Sequence, residues 1–131
     1  MIVVSNRDEL LKLIEQRIEE QGPDCDLNDI DVSRIDDMSH LFYWSKFSGD
    51  ISEWDVSNVR DMKYMFYRSE FTGDISKWDV SNVRDMSEMF SYSNFNGDIS
   101  NWNVSNVENM NYIFAYSKFN RDISNWYRRL R

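Results

Sequence analysis

The sequence predicts an α/β repeat fold, a short solenoid closed at its N-terminal side by a capping helix. Three observations predict it. Tryptophan recurs every 24 residues at Trp54, Trp78, Trp102 and Trp126. Phenylalanine keeps that interval at Phe47, Phe71, Phe95 and Phe119, and isoleucine at Ile51, Ile75, Ile99 and Ile123. A segment with helical apolar spacing precedes the first copy. Self-similarity at one fixed period means that each coil contacts only its neighbours and cannot bury its apolar side alone.

Composition agrees with a folded chain. Of 131 residues 41% are hydrophobic and 15% aromatic, too many for disorder. One proline and four glycines exclude collagen-like or linker sequence. No apolar run approaches the roughly 20 residues of a membrane span, so no membrane insertion is expected.

The elements follow in order. Residues 1–25 are expected to form an N-terminal amphipathic cap. Met1 to Val4 run directly into Asn6, Arg7 and Asp8, which is not the pattern of a secretory signal. The expected location is cytoplasmic, or the cell surface or exterior if a signal has been removed. From Glu9 to Gly22, Leu10, Leu13, Ile14 and Ile18 share one helical face, with Asn6 or Ser5 as N-cap and Gly22-Pro23 as the stop. The opposite face is acidic, unlike the basic face of a membrane-surface helix. The lone Cys25 allows no intramolecular disulfide, fits a reducing compartment and reads as a small buried thiol.

Residues 26–126 hold four 24-residue copies and a truncated fifth. The first copy has Ile30 in the tryptophan column, while Val32, Ile35, Met38, Leu41 and Phe42 match Val56, Val59, Met62, Met65 and Phe66. Within a copy, Trp54 and Val56 are spaced by two as in a strand. Val59, Met62, Met65, Phe66 and Ser69 follow spacings of three and four as in a helix. Ser57 is expected to cap that helix, with Asp61 in its first turn. Gly49, Gly73 and Gly97 mark the return turns, where Asp50, Asp74 and Asp98 can accept from nearby backbone N–H groups. Residues 127–131 form a basic tail, and no helix is expected in the last coil.

The pattern W-D-V-S-N-V-x-D-M-x-x-M-F, followed by F-x-G-D-I-S-x-W, resembles the BspA-like leucine-rich-repeat surface proteins and the related repeat of mycoplasma lipoproteins. The match runs from about Asp26 to Trp126. The resemblance implies a leucine-rich-repeat-like solenoid and roles in adhesion or protein binding. It supplies no catalytic residues.

Net charge is −8. Residues 121–131 carry four arginines against one aspartate, a net +3, which leaves −11 on the first 120 residues. Such a surface repels phosphate backbones, so no direct nucleic-acid binding is expected, and a basic or nucleic-acid-binding protein is a fitting partner. No cofactor is expected, because the sequence has neither a Gly-rich phosphate loop nor zinc-ligand spacing. No metal is expected either. The column Asp50, Asp74, Asp98 and Asp122 offers one carboxylate per turn, where calcium wants six to eight oxygens. The lone His40 lacks a nucleophile partner, so no enzyme is expected.

Invariant columns read as scaffold: the tryptophans as core, and Asn58, Asn82 and Asn106 as a ladder satisfying backbone groups between coils. Divergent columns are the candidates for recognition. The pairs His40/Trp44, Tyr64/Arg68, Glu88/Tyr92 and Tyr112/Tyr116, bordered by Tyr43 and Tyr67, are expected side by side on the helices, coil above coil. Trp, Tyr and Arg dominate binding hot spots. The leading expectation is a protein-binding module, a monomer or weak dimer, that meets a protein partner through this strip. Two others stand beside it: an acidic intracellular inhibitor of phage or mobile-element type that blocks a nucleic-acid-binding protein such as a nuclease, and a surface adhesin that binds glycan or host protein.

Overall fold

A computed structural model describes residues 1–129, the side chains through Trp126. The chain is mostly irregular behind one N-terminal helix, and its buried aromatics recur every 24 residues, which points to a repeat. Helix α1 spans Arg7–Gln21. Asn6 caps it by accepting from the Glu9 N–H at 2.9 Å, with Asp8 and Glu9 in the first turn where the helix dipole favours carboxylates. Gly22 ends it at φ 94°, a conformation a side chain would strain. Leu10 and Ile14 are buried in the same core as the first copy. Strand β1 (Ile2–Val3) pairs in parallel with β2 (Ile30–Asp31). The Arg17 guanidinium grips the Asp29 carboxylate through both nitrogens, at 2.9 and 2.6 Å, and holds that carboxyl below its usual range.

The helix expected in each copy does not form. Residues 62–69 instead make successive turns: the N–H groups of Met65, Tyr67 and Ser69 donate to the carbonyls of Met62, Tyr64 and Phe66. The intervening N–H groups of Met62, Tyr64, Phe66 and Arg68 donate forward to Asp85, Ser87, Met89 and Ser91. Spacings of three and four suit a helix and these paired turns equally; donors committed to the next copy are unavailable for i−4 bonds. The expected strands shrink as well. Among the described residues the later copies keep only isolated parallel bridges, Asp26 to Asp50 and Asp37 to Asp61 to Asp85 to Asn109.

Ser57 is therefore no helix cap. Its N–H donates to Asp55 Oδ1 at 3.0 Å, and the Lys63 N–H donates to Asp61 Oδ1 at 2.9 Å, each a local Asx turn. The aspartate turns expected at Asp50, Asp74 and Asp98 do form, and Asp122 makes the same turn: they accept from Ser52, Ser76, Ser100 and Ser124 N–H groups at 2.8–3.0 Å. These bonds hold all four carboxyls below their ordinary pKa. Gly49 is needed for close approach, since a Cβ there would lie 1.8 Å from the Cys25 carbonyl oxygen.

The core is three columns of rings. Trp54, Trp78, Trp102 and Trp126 stack at 6.3–6.5 Å, and each indole N–H donates to a carbonyl 27 residues earlier, from Leu27, Ile51, Ile75 and Ile99 in turn. Phe42, Phe66, Phe90 and Phe114 stack at 5.5–5.7 Å, and the Phe47 column beside them at 6.0–6.4 Å. The asparagine ladder is present: Asn58, Asn82 and Asn106 donate to the carbonyls of Ser33, Ser57 and Ser81, each at 2.7 Å. Where no helix was expected, Ser124–Arg129 forms short α2, anchored by buried Trp126. Leu130 and Arg131, the end of the expected basic tail, lie outside the described residues.

Candidate functional site

Eight residues without glycine's freedom sit in the left-handed region: His40, Trp44, Tyr64, Arg68, Glu88, Tyr92, Tyr112 and Tyr116, at φ 51–59°. They are the four pairs of the divergent columns. Each follows the turn pattern above, at the third position of a turn closed by the next residue's N–H, as a type II turn requires. Left-handed backbone costs an L-residue roughly 1–2 kcal/mol. Asparagine or glycine would sit there with less strain, yet none of the eight is either.

The side chains meet between copies, whereas helical packing would have paired them within one. His40 stacks on Tyr64 at 4.8 Å, and the Tyr64 hydroxyl donates to the Glu88 carboxylate. That bond, first among the causes, raises the Tyr64 pKa. Burial lowers that of His40, helped by Arg7 and Lys63. In the second column Arg68 lies between two rings, its Cζ 4.6 Å from the Trp44 centroid and 4.1 Å from that of Tyr92. Tyr92 then stacks on Tyr116 at 5.0 Å. Tyr43 and Tyr67 stack at 5.2 Å between the columns, and Tyr67 meets Tyr92 edge-on.

The column of Trp44, Arg68, Tyr92 and Tyr116 is exposed, with Tyr43 and Tyr112, whereas His40, Tyr64, Tyr67 and Glu88 are half-buried. Trp44 is 59% exposed, Tyr112 73% and Tyr116 83%. Rings inside the stacks cover one another's faces, while Trp44 and Tyr116 at the ends of their column have one stacking partner each. Tyr112 alone of the eight has a side chain with no ring, cation or hydrogen-bond contact among the described residues, although its carbonyl accepts from the Ser91 hydroxyl at 2.5 Å. Sequence reasoning found these positions by their variability and missed the left-handed backbone that holds them.

Stacked ring columns, an asparagine ladder and one edge of left-handed residues, all at a 24-residue interval, point to a repeat. The chain belongs to the family described as mycoplasma proteins of unknown function, DUF285, whose model matches residues 15–126. No curated protein and no solved structure matches it.

Proposed function

We propose that this chain is a non-enzymatic protein-binding module, built as a short leucine-rich-repeat-like solenoid of the BspA-like type. In this reading residues 1–25 cap the repeat body of 26–126, and 127–131 form its tail. The partner is a protein that lies along the strip from His40, Tyr43 and Trp44 to Tyr112 and Tyr116. One observation carries the reading: strained, non-glycine backbone holds large Trp, Tyr and Arg side chains in an exposed row, although the scaffold could have used small residues there. Rigid aromatic anchors lose little entropy when they bind, which favours them as hot spots.

The acidic-inhibitor reading has its own support in the rows of aspartates pinned by serine N–H groups, which present carboxylates at a constant interval. A glycan-binding role would rest on Tyr112 and Tyr116, since sugars stack on open ring faces and the rings inside the stacks cover one another.

The test is capture from source cells with wild type, the Tyr92→Ala/Tyr116→Ala variant and an Asp55→Lys/Asp79→Lys variant. Loss of the partner in the aromatic variant alone supports the strip, with a weakening of about 2 kcal/mol or more if either tyrosine is a hot spot. Loss in the charge-reversed variant alone transfers the function to the acidic face.

A further inference from the structure

The hydrogen bonds that the turn residues make between copies all run forward, while Arg84, Glu108, Asn94 and Lys118 donate backward beside them. Met86, Glu88, Phe90 and Tyr92 donate to the carbonyls of Asn109, Asn111, Ile113 and Ala115, as their equivalents do in the two earlier copies. The same pattern aims the N–H groups of Met110, Tyr112, Phe114 and Tyr116 away from the stack, and none has an acceptor among the described residues. The apolar layer opens at this edge too. Met86, Met89, Phe90 and Phe95 are fully buried, whereas Met110, Ile113, Phe114 and Phe119 are only partly so.

An unpaired main-chain row is a template for another chain. This row consists of donors, so two such edges facing each other would leave both sets unsatisfied. Its occupant must bring carbonyls at two-residue spacing. The start of a second copy of this chain is a poor source, because α1 packs over the first copy and Arg7 Nε already donates to the Ser39 carbonyl at 2.6 Å.

Charge narrows the occupant further. Residues 26–49 carry −3, 50–73 and 74–97 carry −2 each, 98–121 carry 0, and 122–131 carry +2. The donor row therefore lies toward the positive end of an otherwise acidic molecule, on the copy that carries exposed Lys118 and Arg121, the latter's Nε donating to the Asn96 carbonyl at 2.9 Å. We propose that this edge is a docking surface for an acidic peptide segment that adds as a further coil. Its carbonyls accept from Met110, Tyr112, Phe114 and Tyr116, its apolar side chains cover Phe114 and Phe119, and its carboxylates meet Lys118 and Arg121. This surface adjoins the aromatic strip and shares Tyr112 and Tyr116 with it, using their main-chain N–H groups where the strip uses their rings.

The experiment uses the full chain and a labelled 24-residue peptide copying residues 26–49, which is acidic and matches the two phenylalanine columns through Phe42 and Phe47. Fluorescence anisotropy reads binding, and residue-resolved amide exchange reads its location. The expected result is saturable binding that Lys118→Glu/Arg121→Glu weakens about tenfold. Exchange at the four amides slows at least about tenfold, while Met86, Glu88, Phe90 and Tyr92 are protected throughout, and a scrambled peptide does nothing. The proposal is overturned if the peptide fails to bind at about 1 mM, binds without slowing the four amides, binds no better than the scrambled one, or is indifferent to the charge reversal. It is also overturned if the four amides are protected in the dilute free chain, or become so as the chain is concentrated alone, which would make a second copy the occupant.

Discussion

Tyr112 offers a direct test of the left-handed edge, because its side chain is 73% exposed and its backbone sits at φ 58°. Removing the ring should cost little, so replacement by Ala and by Gly isolates the backbone. Alanine there retains the left-handed penalty of roughly 1–2 kcal/mol, and glycine escapes it. Glycine loses about 0.5–1 kcal/mol relative to alanine through the greater freedom of its unfolded chain. The difference leaves Tyr112→Gly more stable than Tyr112→Ala by about 0.5–1 kcal/mol, or about 2–4 °C in melting temperature. Asn111, exposed and outside the left-handed region, supplies the control, and there Gly should be the less stable by about 0.5–1 kcal/mol. Thermal melts of the four variants by circular dichroism read both differences. If alanine is the more stable at both positions, the left-handed turn at Tyr112 is wrong, and with it the account of how the strip is held.

Trp78→Ala removes a buried ring stacked at 6.5 Å on both neighbours and strands the Ile51 carbonyl, so it should cost about 3–5 kcal/mol in denaturant melts, while Lys77→Ala changes little. Deleting residues 1–22 uncovers the first copy, and light scattering should report aggregation; a soluble, cooperative product would make α1 a detachable element. Acid should destabilise the fold in two stages. His40 has its folded pKa below the ordinary 6.5, so its contribution is complete above that value and fades as pH falls through the lowered one. Asp50 and Asp74, held down by the Ser52 and Ser76 N–H bonds, follow as pH drops below about 4, the usual carboxylate range. Melts from pH 7 to 3 check the order, and His40→Gln should erase the first stage.

Much of the scaffold was legible in the sequence because identical residues must do identical work at every copy. The tryptophan column, the asparagine ladder and the aspartate turns were all readable from single positions, and the N-cap was narrowed to Asn6 or Ser5. The helices were misread at Val59 to Ser69, since apolar spacing reports which side chains face the core and says nothing about where the N–H groups go. Those donors bond 23 residues ahead, a partner that local periodicity cannot reveal. The strip was found for a reason only partly right. Residues four apart do fall on one edge, through two successive turns instead of one helical face, and nothing in Tyr64 or Arg68 advertises a left-handed backbone. The α2 turn around Trp126 was missed because the repeat pattern lapses there and the surrounding Ser, Asn and Arg carry no periodic signal.

The claim that the aromatic strip meets the partner is tested most directly by placing a photo-reactive benzophenone side chain at Tyr116 in one variant and at Asp55 in another. Each is irradiated in source-cell extract, and the cross-linked protein is identified by mass spectrometry. The account predicts one protein captured in common by repeat experiments at Tyr116 and absent at Asp55. Capture at Asp55 with none at Tyr116 would contradict it and move the binding surface to the acidic face.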